Sequence, residues 1–188
     1  MTRRAWVWIA LACAVAVTPA RAMANGEPPP SPVALALVAQ MTLDEKLAMV
    51  HGTFDPDPTQ GEAGYLPGVP RLGVPPLRLT DGPAGVRVLT PTTAMPAPIS
   101  LAASFSRTNA LDYGAVLGRD ARARNQDVLL GPMMNLVRVP QAGRNFETLG
   151  EDPFLMSELV APEVRGIQSQ GTIATAKHFA ENNQEADR

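Results

Sequence analysis

The sequence predicts an α/β fold, a parallel sheet whose strands are joined by helical crossovers. Three observations predict it. Short apolar runs at residues 76–80, 127–130 and 172–176 read as buried strands. Helical start signals and apolar stripes fill the stretches between them. The order strand, helix, strand, helix, strand is the pattern of a parallel sheet. Three such strands do not close a barrel, so the 188 residues read as the front part of a larger protein.

The N-terminus carries Arg3 and Arg4, then an apolar run over residues 5–17, Pro19, and the small-residue sites Ala20-Arg21-Ala22 and Ala22-Met23-Ala24. These are the three parts of a secretory signal peptide, and the run is too short to span a membrane comfortably. Cleavage after residue 22 or 24 is expected, with the mature protein secreted or periplasmic and no membrane partner left. Loss of Arg3, Arg4 and Arg21 takes the formal net charge from −2 to −5. This balance offers nothing to nucleic acid or to an anionic membrane. The single cysteine, Cys13, lies inside the apolar run, so the mature segment has neither disulfide nor thiol chemistry. Trp6 and Trp8 leave with it. If the rest forms a carbohydrate site, its aromatic face is Phe, Tyr or something outside this chain.

Residues 23–40 read as a linker and lead-in, because Pro28, Pro29, Pro30 and Pro32 force an extended chain before a short aliphatic run. The main domain is expected over residues 41–188. Thr42-Leu-Asp-Glu45 is a capping box opening a helix through Val50 that Gly52 ends. His51 there reads as a favourable charge at a helix C-terminus. Residues 53–76, rich in Pro and Gly, read as a long loop. Asp55 and Asp57 lack the other oxygen ligands of a calcium loop, so no metal or cofactor is expected.

After the first strand comes Asp81-Gly-Pro-Ala-Gly-Val-Arg87. An aspartate at the carboxyl end of a parallel strand is a candidate ligand; the alternative is a plain Asp-Gly turn. Ser106 caps a helix to about Arg124 with Leu111, Val116, Leu117 and Ala121 on its apolar face. The second strand is closed by Gly131-Pro132, and a loop containing Gly143-Arg-Asn-Phe-Glu147 follows. Asp152-Pro153 starts the next helix, with Leu155, Leu159, Val164 and Ile167 as its stripe and Gly171 as its stop. Pro162 inside it is expected to kink or split it. The third strand ends in Lys177 and His178 and runs into Glu181, Asn182, Asn183, Gln184, Glu185, Asp187 and Arg188. This polar burst is either a wall of a polar-substrate pocket or a solvated loop.

Asp81, Arg87, Arg144, Lys177 and His178 therefore all follow parallel strands, which gathers them at one sheet edge. One carboxylate accepting two neighbouring hydroxyls, with Arg and Lys donors on the same oxygens, suits a sugar ring. Phosphate would call for donors without Asp81.

Four blocks carry a resemblance to glycoside hydrolase family 3. They are Leu79-Thr-Asp-Gly-Pro-Ala-Gly-Val-Arg87, Gly131-Pro-Met-Met-Asn135, Gly143-Arg-Asn-Phe-Glu147 with Glu151-Asp-Pro153, and Lys177-His-Phe179 with Asn183-Gln-Glu185. The resemblance covers nearly all of the mature segment, and the joint occurrence of the blocks is specific. It implies the N-terminal portion of a (β/α)8 TIM-barrel-like domain, incomplete in this chain. It also implies a pocket for a terminal, non-reducing β-D-glucosyl unit of a β-glucoside or oligosaccharide. Asp81, Arg87, Arg144, Lys177 and His178 match the positions that clasp that sugar in the family. Glu147, Asn183, Gln184, Glu185 and Arg188 fall within the motifs as supporting or packing groups. Phe179-Ala-Glu-Asn-Asn-Gln184 replaces the His-Phe-Pro-Gly-His of the N-acetylhexosaminidase branch, which favours the glucosidase-like branch.

The family's nucleophile is an aspartate in a Ser-Asp-Trp-like motif on a later strand, and its acid/base lies further on. Neither motif is present, so these residues are expected to bind sugar and to lack the two carboxyls of retaining hydrolysis. Two alternatives are a stand-alone, non-catalytic sugar-binding protein and an unrelated parallel α/β enzyme. One geometric expectation is specific: neighbouring residues on a regular strand face opposite ways. Lys177 and His178 reach one sugar only if a bulge, a turn or a cis bond breaks the alternation.

Overall fold

The computed structural model describes residues 29–57, 61–180 and 182–187. The signal-peptide reading, with Cys13, Trp6 and Trp8, lies outside the described residues, as do Glu181 and Arg188. The chain divides into two units, ending and starting at Gln40 and Met41. In the first, helix α1 (Pro32–Gln40) occupies the stretch read as an aliphatic lead-in. Ser31 caps it through Oγ, which accepts from Ala34 N at 3.1 Å, and proline at the first helical position needs no partner for an amide.

The second unit opens with α2 (Leu43–His51), whose capping box is complete. Thr42 Oγ1 accepts from Glu45 N, and the Glu45 carboxylate accepts from Thr42 N at 2.8 Å. The sheet has four strands in sequence order: β1 (Gly64–Leu66), β2 (Leu77–Asp81), β3 (Val128–Leu130) and β4 (Ile173–Ala174). Strands β2, β3 and β4 are parallel, with Asp81 beside Leu130 and Leu129 beside Ala174. The first of these crossovers contains α3 (Pro98–Ala102) and α4 (Arg107–Ala123); the second contains α5 (Pro153–Ser169). This is the beginning of a (β/α)8 barrel, as an arc of parallel strands with helices outside.

Three expectations change. The stretch 53–76 is not simply a loop: β1 pairs antiparallel with β2, Gly64 beside Leu79, and Thr53 bridges to Tyr65. A three-residue strand containing glycine has too little pattern to be seen alone and exists because β2 offers a free edge. Helix α5 is not split by Pro162, whose ring is buried in a continuous helix. The third strand is short, yet its pairing continues: Thr175 N donates to Leu129 O, and Lys177 N to Pro132 O, both at 2.9 Å.

The helices bury faces that share half of each aliphatic stripe, Leu117 and Ala121 in α4 and Leu159 and Ile167 in α5. In α4 the buried face is Ala110, Tyr113, Gly114, Leu117, Gly118 and Ala121; in α5, Met156, Leu159, Pro162, Glu163, Gly166 and Ile167. Glycine sets the orientation. A Cβ on Gly166 would sit 2.1 Å from Leu111 O, and one on Gly114 2.1 Å from Glu163 O. The helix backbones thus touch where no side chain intervenes, and Leu111, Val116, Leu155 and Val164 are left outside the buried faces. Leu117, Leu129, Leu159 and Ile167 form the dry centre beneath them.

Candidate functional site

Each parallel strand ends in a loop that carries part of one polar cluster. At the end of β2, Thr80 is fully buried and its Oγ1 donates to Arg87 O at 3.1 Å, while Arg87 N donates to Asp81 O at 3.0 Å. The loop between them folds back on the strand end. It needs Gly82, at φ 146°, because a Cβ there would lie 2.3 Å from Gly85 O. This fold-back leaves the Asp81 carboxylate at the strand tip, partly exposed, with Lys177 Nζ 2.5 Å from Oδ1.

At the end of β3, Gly131-Pro132 has a cis bond and the chain passes through Asn135, which is 7% exposed. It reaches Arg144 at the start of a single turn over Asn145–Glu147. That turn lets Arg144 and Glu147 meet as a fork, Nε to Oε1 at 3.1 Å and Nη2 to Oε2 at 2.6 Å. These hydrogen bonds, more than the neighbouring charges, raise the affinity of the guanidinium for its proton. Glu185 approaches the other side, 3.7 Å from Nη1.

At the end of β4 the peptide bond between Lys177 and His178 is cis. This is one of the ways foreseen for the alternation to break. Lys177 turns to Asp81, and His178 Nε2 accepts from Arg144 Nη1 at 3.4 Å, so both side chains join the same cluster. Asn135 holds the histidine from behind: its Oδ1 accepts from His178 N at 2.9 Å and from Nδ1 at 2.8 Å.

Of the five residues singled out in the sequence, Asp81, Lys177, Arg144 and His178 are joined by direct contacts in two pairs. Arg87 borders a cavity of about 270 Å³ with Asp81, Gly82, Phe146 and Glu147, and Lys177 and Arg144 adjoin it through their partners Asp81 and Glu147. Its guanidinium makes no hydrogen bond or ion pair among the described residues. Among the supporting residues, Glu147 and Glu185 flank Arg144, Asn183 is half-buried and Gln184 exposed. Phe146, half exposed, is the aromatic residue lining this cavity among the described residues. Asn135 is the functional residue that sequence reasoning passed over. It stands in one of the family-like blocks, but its partner lies 43 residues away.

With cations and carboxylates interleaved around a small cavity, the cluster offers donors and acceptors in alternation and no net sign. It can take up a neutral polyol by exchanging its ion pairs for hydroxyl hydrogen bonds.

Residues 68–187 match the family model described as the glycosyl hydrolase family 3 N terminal domain. The chain is 44% identical over 161 residues to beta-glucosidase BoGH3A of Bacteroides ovatus, covering 78% of this chain and 20% of that protein. It is 40% identical over 164 residues to thermostable beta-glucosidase B of Acetivibrio thermocellus, covering 81% and 21%. Among solved structures, DesR, a beta-glucosidase from Streptomyces venezuelae in complex with D-glucose, superposes with a TM-score of 0.78 at 56% identity, covering 85% of this chain and 20% of that one. Beta-glucosidase 3B from Thermotoga neapolitana, in complex with alpha-D-glucose, gives 0.74 at 39%, covering 82% and 24%. The chain thus spans about a fifth of the length of the curated relatives it matches. On the strength of the matched domain and of the barrel edge just described, it belongs to glycosyl hydrolase family 3.

Proposed function

We propose that these residues form the sugar-holding part of an exo-acting, retaining β-glucosidase that releases terminal, non-reducing β-D-glucosyl units. The single observation that carries the reading is the pairing of Lys177 with Asp81 and of Arg144 with His178, with Asp81 and the Arg144 partner Glu147 lining one cavity. The names of the relatives support glucose as the sugar held. Asp81 accepts two vicinal hydroxyls, while Lys177 and Arg144 donate to the same ring. Phe146 offers it an apolar surface, and Arg87 is drawn in when substrate arrives.

Binding energy spent on the non-reacting hydroxyls holds the anomeric carbon where two carboxyls can reach it. Those carboxyls come from the part of the enzyme beyond these 188 residues. Glu147, forked to Arg144, and Asp81, paired with Lys177, are committed to orientation. Export belongs to the same proposal: residues 1–22 read as a signal peptide and the substrate as an extracellular or periplasmic β-glucoside.

The test is Asp81→Ala in the full-length enzyme. It removes the acceptors and leaves Lys177 without its partner, and kcat/KM on an aryl β-glucoside is expected to fall by roughly 3 kcal/mol, about 100-fold or more. A change below about fivefold, roughly 1 kcal/mol, would rule Asp81 out as a ligand.

A further inference from the structure

Asn135 is buried, belongs to none of the groups that face the cavity, and spends its side-chain oxygen on two hydrogen bonds to one residue. Its orientation is fixed. The backbone N–H of His178 can only donate, so the Asn135 atom 2.9 Å from it is the amide oxygen and not the nitrogen. The same oxygen lies 2.8 Å from His178 Nδ1, and an oxygen that only accepts requires a proton on that nitrogen. The far side of the ring agrees independently. Arg144 Nη1 has no acceptor function and lies 3.4 Å from Nε2, so Nε2 presents its lone pair. Asn182 Nδ2 lies 3.2 Å from Nδ1 and 3.1 Å from Glu185 Oε1; the shorter 2.8 Å contact to the Asn135 oxygen, which only accepts, sets the proton on Nδ1.

We propose that Asn135 is a positioning residue that locks His178 as the neutral tautomer protonated on Nδ1, so that Nε2, once Arg144 Nη1 turns to the substrate, accepts a hydrogen bond from a substrate hydroxyl. The inference rests on the sugar-binding reading above and deepens it: the site reads one hydroxyl as a donor at this position. A substrate lacking that hydroxyl hydrogen, such as a methyl ether there, forfeits the contact. The charged groups around the ring are Arg144 with its partners Glu147 and Glu185, and the adjacent Lys177 with Asp81. The Asn135 oxygen on Nδ1 and the Arg144 guanidinium on Nε2 call for the same tautomer, and Asn135 makes the shorter contact.

The experiment is the pH profile of kcat/KM on an aryl β-glucoside for the full-length enzyme with Asn135→Ala and Asn135→Asp, run beside Asp81→Ala. Asn135→Ala removes both hydrogen bonds that hold the ring, and kcat/KM is expected to fall about tenfold at every pH. Asn135→Asp keeps the acceptor but sets a carboxylate against Nδ1, which stabilises the doubly protonated ring. Its acidic limb is expected to move up by about one pH unit or more, with activity returning to within about threefold of the parent above that limb. Profiles that superpose on the parent's overturn the proposal. So do equal losses in both variants with an unshifted limb, the result of a purely structural role. If the alanine variant does not fold, the limb of the near-isosteric aspartate variant decides alone. When Asp81→Ala collapses activity and the Asn135 variants do not, only this inference fails; when Asp81→Ala is also silent, the sugar-binding reading falls with it.

Discussion

Two carboxylate-bearing regions lie within one βα unit of each other and have opposite characters. Between α4 and α5, Glu163 is 1% exposed and neither of its carboxyl oxygens has a partner among the described residues. Burial alone pushes its pKa up to about 8. At the carboxyl ends of the strands, Asp81 and Glu147 each face a cation and retain some contact with solvent. The same functional group is an uncharged packing element in one place and an orienting acceptor in the other. Position in the barrel decides this: the helix layer is dry because glycines bring two backbones together, whereas the strand ends open into loops whose turns aim side chains at a common cavity. The helix layer should therefore govern stability, and the edge should govern kinetics.

The largest effect expected of this division is the pH dependence of Glu163. Its folded-state pKa, about 8, is raised above the ordinary 4.5, so the native state holds a proton that the unfolded chain releases. The stabilisation is full below about pH 4.5, declines as pH rises toward 8 and is lost above it, a total on the order of 5 kcal/mol. Glu163→Met removes the titrating group while filling the site. Denaturation midpoints at low, neutral and mildly alkaline pH should show the variant gaining on the parent as pH rises; parallel curves would mean that the carboxyl finds a partner or solvent.

Next comes Gly166→Val. Its side chain would meet the backbone of α4, and forcing the helices apart should cost about 3 kcal/mol or more by denaturant titration. The molecules that remain folded should keep the parent's KM for the glucoside, and a changed KM would show that the helix layer reaches the edge. In the opposite sense, Arg144→Lys keeps the charge but loses the fork to Glu147. A loss of about tenfold in kcat/KM, roughly 1.4 kcal/mol, is expected with the denaturation midpoint nearly unchanged. The smallest effect is that of Thr42→Ala, which removes one side of the α2 cap. It should cost about 1 kcal/mol of stability and leave kinetics alone.

Local physics was readable from the chain and non-local physics was not. The caps at Thr42, Ser106 and Asp152 announce themselves within three residues, and the structure has a helix at each. The three parallel strands were visible as apolar runs because strands buried on both faces have little else in them. Strand β1 was missed because its reason to exist is the edge of β2. Apolarity alone identifies half of each helix face, Leu117, Ala121, Leu159 and Ile167, whereas close approach at Gly114 and Gly166 turns Glu163 inward and leaves Leu111 40% exposed. At the site, charged residues after strands could be named from order alone, and the break in alternation at Lys177 and His178 followed from the need for both to face one way. Asn135 could not be named, since a buried amide shows its role only through a partner far along the chain.

If three strand ends assemble a clasp for one terminal sugar, a crystal structure of the full-length enzyme with bound glucose will show it. Ring hydroxyls are expected within about 3 Å of Asp81, Lys177, Arg144 and His178 Nε2, with the Lys177–Asp81 pair opened to share a hydroxyl. Glucose bound elsewhere, with that pair closed and out of reach of the ring, would contradict it.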